Sequence, residues 1–324
     1  NDSPYAKAIP QHTKNRIIKA ARELNYHPNF FARSLRKKRT FTVGVIVAEL
    51  GDPYASMVIS GIEAALSQRK YFFVSIVHHH NPQALQQYSD ILLNRGVEGF
   101  ITVDTTITEP SVLPMIVIAG HRQLEGVTNI VLDHHKAAEM VLRHLQELGH
   151  QEIAVIRGQA SSSDSEDRWN AIMEAAHGLG ITIRPELTVQ LTEDDPSPHQ
   201  GYVATKELLS RGHSFSAVLA YNDVSAIGSI RAIRETKARV PEDVSIVGFD
   251  DIREAAFHLP SLTTVRQPLR KMGELAGEAI IARIEGQENY PAQIAVEPEL
   301  IVRESSGPAR AGVSQSSSEL RTAS

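Results

Sequence analysis

The chain has 324 residues, 42% hydrophobic and 22% charged, a length and balance that fit two or three packed domains and exclude a disordered or fibrous chain. Cysteine is absent, which rules out disulfides and thiolate metal sites, and no run of about 18 apolar residues offers a membrane span. The net charge of -5 hides an asymmetry: residues 1–40 hold ten Lys/Arg against two acids, Asp2 and Glu23, whereas the remainder holds 23 against 36. A basic end on an acidic body suits a protein that meets a polyanion with one end. The N-terminus shows no apolar stretch of a secretory signal, so a cytoplasmic protein is expected.

Residues 10–25 predict a helix, with Ile17, Ile18, Ala21 and Leu24 at helical spacing and Lys/Arg opposite. Residues 29–36 predict a second, short one with Asn29 as N-cap, too poor in apolar partners to stand alone. A charged linker, Lys37–Thr40, follows, and residues 1–40 are expected to be poorly ordered and protease-sensitive without DNA. From Thr42 short apolar runs alternate with amphipathic segments. The runs are 43–50, 72–77, 99–103, 115–120, 129–133, 153–158, 217–223 and 244–251. The helices between them are 55–69, 82–95, 134–149, 165–179, 198–211, 223–236 and 269–286. This alternation dictates right-handed βαβ crossovers, and the strands are too many for one comfortable sheet. The fold class is α/β, with two doubly wound parallel-sheet lobes behind a small helical segment. Residues 306–324, Ser/Gly-rich and apolar-poor, read as a disordered tail.

Ligands of such sheets bind where the carboxyl ends of the strands converge. The polar residues there are Asp52 and Tyr54, His121 and Arg122, then Ser162, Asp164 and Arg168, then Asn222 and Asp223, Asp250 and Asp251, and Gln267. Amide, carboxylate and guanidinium together satisfy hydroxyls, which both donate and accept, so the set suits a sugar. Any one of them alone is more often a cap or loop hydrogen bond. Arg168 is expected to face ligand and not core. Enzymatic chemistry lacks support. A strand-end Asp250-Asp251 more often caps or binds than catalyses, and His78-His79-His80 cannot converge on a metal from one regular strand. Ser67–Lys70 matches a bare S-x-x-K without its companions, and no phosphate loop or nucleophile elbow occurs. No enzyme, cofactor or metal is expected.

Several segments in order resemble the lactose-repressor/galactose-repressor (LacI/GalR) family of bacterial regulators, from residue 1 to about 305. They are ELNYHPNFFARSLR (23–36), GDPYASMVISGIE (51–63), LLNRGVEGFI (92–101), HLQELGHQEIAVIRG (144–158), YNDVSAIGSIRAI (221–233), VPEDVSIVGFDDI (240–252) and LTTVRQPLRKMGELA (262–276). The resemblance implies a periplasmic-binding-protein-like effector module behind a partial DNA-binding headpiece, and a transcriptional repressor controlled by a sugar. Residues 1–40 would hold the remnant of the helix-turn-helix headpiece and the hinge helix. Residues 41–132 with 268–290 would form the N-terminal lobe, and 134–265 with 292–305 the C-terminal lobe, with crossings near 132–134, 265–268 and 290–293. Operator DNA would meet Asn29, Arg33, Leu35 and Arg36, Leu35 as a wedge in the minor groove. The effector would meet Tyr54, His121, Ser162, Asp164, Arg168, Asn222, Asp250 and Gln267. Two hinge helices imply a homodimer, and lobe closure would alter their spacing.

The family's recognition helix would precede Asn1, so this stretch is expected to hold DNA through phosphates with little sequence preference. Gly120, Pro196 and Leu269 depart from the family's common acid and aromatics in the cleft. The alternative reading is a sugar-binding protein of a transport system, against which the basic RSLRKKR run (33–39) argues.

Overall fold

A computed structural model describes residues 9–26, 30–109, 111–120, 122–287 and 290–310, without the side chains of Phe30, Phe31, Arg33 and Pro82. The chain divides into two compact units at Phe41/Thr42. The first holds helices α1 (Gln11–Glu23) and α2 (Phe30–Lys37). No residue of α1 is buried, and Ile17 and Ile18 are half exposed, as expected for a short amphipathic helix whose apolar stripe has too few partners to close a core.

The second unit carries two six-stranded sheets. The first is ordered β11-β5-β4-β3-β1-β2, built from Gln293–Val296, Val127–Leu132, Met115–Ile118, Phe100–Val103, Thr42–Val47 and Phe72–Val77, all parallel. The second is ordered β12-β10-β9-β8-β6-β7, from Glu299–Ile301, Thr263–Arg266, Ser245–Asp250, Ala217–Leu219, Ile153–Arg157 and Thr188–Gln190, with only β12 antiparallel. Central strands such as β3, β4, β5 and β9 are buried along their length because helices cover both faces. Those helices are α3 (Pro53–Gln68) and α4 (Pro82–Asn94), then α5 (His134–Glu147), α6 (Ser165–Leu179), α7 (His199–Ser210), α8 (Asp223–Glu235) and α9 (Arg253–Phe257), then α10 (Leu269–Ile284).

Each lobe is clamped by one glycine-bearing helix pair. A Cβ on Gly61 of α3 would lie 2.0 Å from the Arg270 carbonyl of α10, and one on Gly273 would lie 2.0 Å from that of Val58. In the other lobe a Cβ on Gly201 of α7 would lie 2.0 Å from the Ser225 carbonyl, and one on Gly228 of α8 would lie 1.9 Å from that of Pro198. Only glycine permits backbones this close.

The chain passes between the sheets after β5, after β10 and after β11. The third passage therefore lies at residues 297–298 and not near 290–293. Gln293–Val296 pair in parallel with Asn129–Leu132, which places them in the first lobe and not in a 292–305 segment of the second. A four-residue edge strand beside a proline has too little pattern to be read from sequence. Residues 306–310, expected to belong to a disordered tail, are instead bonded to the second lobe. His144 Nε2 lies 2.9 Å from Ser306 Oγ, the Gly307 N–H donates to Ser245 Oγ, and the Ala309 N–H to the Leu148 carbonyl. Residues 311–324 lie outside the described residues. Among the described residues no helix is long and apolar enough to cross a membrane.

Candidate functional site

The carboxyl ends of both sheets face one cleft, and the ends of β1, β3, β6, β8 and β9 deliver polar side chains to it. After β1, Asp52 caps α3 by accepting from the Tyr54 N–H at 3.0 Å, with Pro53 fixing the first turn. That start points Tyr54 inward. Its hydroxyl is buried and has no hydrogen-bond partner among the described residues. Asp104 follows β3, the Ser161–Asp164 loop follows β6, Tyr221 and Asn222 follow β8, and Asp250 ends β9. Several strand ends are strained: φ is 44° at Asp104, 60° at Ala119, 112° at Asp250 and 56° at Asp251. Non-glycine residues hold such angles at a cost of about 1–3 kcal/mol each, and the first three line one cavity.

Arg168, one turn into α6, organises the second-lobe wall. Its guanidinium donates to Asp164 Oδ2 at 2.9 Å and to the Tyr221 carbonyl at 2.7 Å. It lies 3.9 Å from the Phe249 ring centroid and 4.5 Å from that of Tyr221. Asp164 in turn takes His134 Nε2 at 3.1 Å. Arg168 is thus 6% exposed and part of the packing, which corrects the expectation that it faces ligand alone. Its Nε is the guanidinium nitrogen left without a partner. Burial opposes its charge, but Tyr221, Asp164 and Asp250 outweigh burial and hold the proton more firmly. Gln267, at the second passage between lobes, donates from Nε2 to Asp250 Oδ1 at 2.6 Å. Asn222 serves α8 as a capping box, its Oδ1 accepting from the Ser225 N–H at 2.8 Å.

Two adjoining cavities occupy the cleft. One of about 30 Å³ is lined by Tyr54, Ser162, Asp164, Arg168, Asn222 and Asp250 together with Asp52, Asp104, Ala119 and Tyr221. The other, of about 60 Å³, adds Glu49, His80, Gln159, Asp194, Pro196 and Gln200. Each holds a few waters and no more. Six of the eight residues expected to meet an effector therefore share one wall, and Gln267 supports it from behind. His121 lies outside the described residues.

The lobes are held together there by Asp104. Its Oδ1 accepts from Ser162 Oγ, from the Ser163 N–H and from Ser163 Oγ, each at 3.0 Å. The Tyr221 hydroxyl adds a 2.7 Å bond to Ser162 Oγ. Asp104, Tyr221, His134 and Phe249 were not singled out in the sequence, although Asp104 follows the GFITV strand directly and the strand-end rule reaches it. Burial pushes the carboxyls of Asp52, to about 6, of Asp104 and of Asp250 above their usual range, and neighbouring acids add to it.

Other candidates separate. Asp251 is held by Arg266 at 2.7 Å and Arg303 at 2.6 Å, away from Asp250, so the two form no acid/base pair. His78 reaches Thr105 and His79 reaches Glu49, while His80 lines the cavity. Among the described residues no group of three or more His, Asp or Glu could hold a metal. In the first unit Leu35 is 81% exposed on α2, and Arg36 is exposed beside it. Asn29 and the Arg33 side chain lie outside the described residues.

Residues 142–306 match a family model described as a periplasmic binding protein-like domain. Over 306 residues the chain is 30% identical to the HTH-type transcriptional repressor PurR of Yersinia enterocolitica, covering 92% of this chain and 89% of that one. A solved complex of the transcriptional regulator CelR with cellobiose matches with a TM-score of 0.72 and 26% identity, over 92% of this chain and 91% of that one. A LacI family transcriptional regulator from Enterococcus faecium with bound ribose matches at 0.72 and 26%, over 83% and 100%.

Proposed function

We infer that this chain, which belongs to the LacI/GalR family of transcriptional regulators, is a repressor whose hold on operator DNA is set by a sugar bound between its lobes. The observation that carries the reading is the convergence of Tyr54, Asp164, Arg168, Asn222 and Asp250 on one cavity at the strand ends of both lobes. Carboxylate, amide, guanidinium and phenol in one wall match the donor and acceptor pattern of adjacent hydroxyls. The cellobiose and ribose complexes of two relatives support a sugar as the class. The present cavities are too small for one, so the lobes part to admit it and close on it. The chain acts as a homodimer, with Leu35 and Arg36 among the groups that meet DNA. Coupling between the two sites is reciprocal: what loosens DNA when sugar binds loosens sugar when DNA binds.

The test begins by selecting bound fragments from a genomic duplex pool. The selected duplex is then titrated by fluorescence anisotropy with and without cellobiose or ribose at two salt concentrations. We expect a shift in DNA affinity of about 5–150-fold with one sugar. Failure to bind any duplex at the lower salt concentration removes the DNA-binding function. A duplex whose affinity responds to other metabolites but to no sugar removes the sugar.

A further inference from the structure

The cleft is built with an unbalanced charge. Four carboxyls, from Asp52, Asp104, Asp164 and Asp250, line the inner cavity against a single guanidinium, that of Arg168. That guanidinium is already committed to Asp164, to the Tyr221 carbonyl and to two ring faces. The remaining acids keep acceptor capacity turned to the cavity. Asp104 and Asp250 each use Oδ1, leaving Oδ2 without a partner among the described residues, and Asp52 spends Oδ1 on its cap. The cavity wall also holds a group that awaits a ligand. The Tyr54 hydroxyl is 93% buried by residue, has no partner, and feels the charges of Asp164, Asp104, Asp250 and Arg168 together. It lines the same cavity as the four acids.

From this juxtaposition of three carboxyls with one oxygen each to spare, a spent guanidinium and an orphaned phenol, we propose that the cleft takes a cationic polyol, a sugar bearing a protonated amine, ahead of its neutral and its phosphorylated counterparts. The proposal rests on the reading of the cleft as a sugar site. The physical reason is that an ammonium has three donors and no acceptor, so it can satisfy the free oxygens of Asp104, Asp250 and Asp52 at once. It also relieves the repulsion among acids brought together at low dielectric. Burial and mutual repulsion raise the pKa of these carboxyls, as expected where a compensating cation is missing. A phosphate or carboxylate would meet the same acids, and among the described lining residues the one Lys or Arg is the committed Arg168.

The experiment is calorimetry on the full chain at pH 7.5 with three matched series: glucose, glucosamine and glucose 6-phosphate, and the same forms of galactose and mannose. In the series that binds most tightly we expect the amine to exceed the neutral sugar by about tenfold or more, with the phosphate weakest. Asp104→Asn, an amide that tolerates the positive φ, should bring that ratio close to one. Asp250→Asn serves as the second variant should the first fail to fold. A neutral or phosphorylated member binding tightest overturns the charge preference and leaves the sugar reading standing. So does a ratio unchanged by both variants. Absence of binding by all nine compounds overturns the sugar reading and the preference with it.

Discussion

Arg168 shows how one residue can hold a wall and face a cavity. Cutting it to alanine takes the guanidinium from the buried Asp164, which His134 still reaches, and strips the cation from between Tyr221 and Phe249. Breaking a buried pair from one side costs about 3–5 kcal/mol, and the remaining histidine bond places this case at the low end. Arg168→Ala should therefore lower the urea midpoint of the second lobe as well as weaken effector binding, and an unchanged midpoint would show that the ring stack is not holding the wall. Asp223 makes the complementary case away from the cavity. Burial pushes its carboxyl up to about 7, against hydrogen bonds from the Ile252 N–H and Thr264 Oγ1, with Asp251 adding to the rise and Arg303 opposing it. A carboxyl that is more basic when folded binds its proton preferentially in the native state. Its contribution is therefore full below the unfolded value near 4 and is lost as pH rises towards 7. Asp223→Asn should remove this loss, so the melting temperature of the variant relative to the parent should climb between pH 4 and 7. A difference flat with pH would place the Asp223 proton elsewhere. At this scale the sequence was legible where a strand end could be seen. Tyr54, Asp164 and Asp250 were found by that rule, whereas His134 and Phe249 act through α5 and the face of β9, and no spacing announces them.

Elements were legible in proportion to their length. The long helices over 134–147, 165–179 and 269–284 carry several turns of pattern and stand where periodicity puts them, within a residue or two at their ends. The three- and four-residue strands β7, β11 and β12 carry too few alternations to be distinguished from loop, and their positions come from pairing across the sheet. Glycines inside helices were equally opaque, because nothing local says which one lies under a neighbouring backbone. The pairing of α7 with α8 makes the point testable. A methyl group at Gly201 would stand 2.0 Å from the Ser225 carbonyl, so the two helices must separate. Overpacking of this kind costs about 1–3 kcal/mol, more where backbone and not side chain must move. Gly201→Ala should lower the melting temperature, whereas Gly178→Ala, with nothing within 4 Å, should hold or raise it slightly. Equal effects at the two sites would mean that the close approach is not stabilising the lobe.

For the whole molecule the central quantity is the balance between lobes parted and lobes closed. Three strand connections join the lobes and leave them free to rock, so the closed arrangement depends on what bridges the cleft. Two groups of the first lobe bridge it among the described residues: Asp104 Oδ1 accepts from Ser162 Oγ and the Ser163 N–H, and the Ser163 hydroxyl lies between Asp104 and the Ala119 carbonyl. Each such bond is worth about 0.5–1.5 kcal/mol net, more where the acceptor is charged, and the Ser163 hydroxyl keeps Ala119, so removing Asp104 should shift the balance by about 1–3 kcal/mol towards opening. The same bridge competes with an entering ligand, because Ser162 and Asp104 both line the inner cavity. Two consequences follow for Asp104→Ala. Small-angle scattering should give a larger radius of gyration without ligand, recovering on saturation with any sugar that still binds. Stopped-flow mixing should show faster association, since the lobes no longer need to break the bridge first. If the radius and the association rate both match the parent, closure is set by other contacts, and the serine loop is packing against Asp104 without governing the cleft.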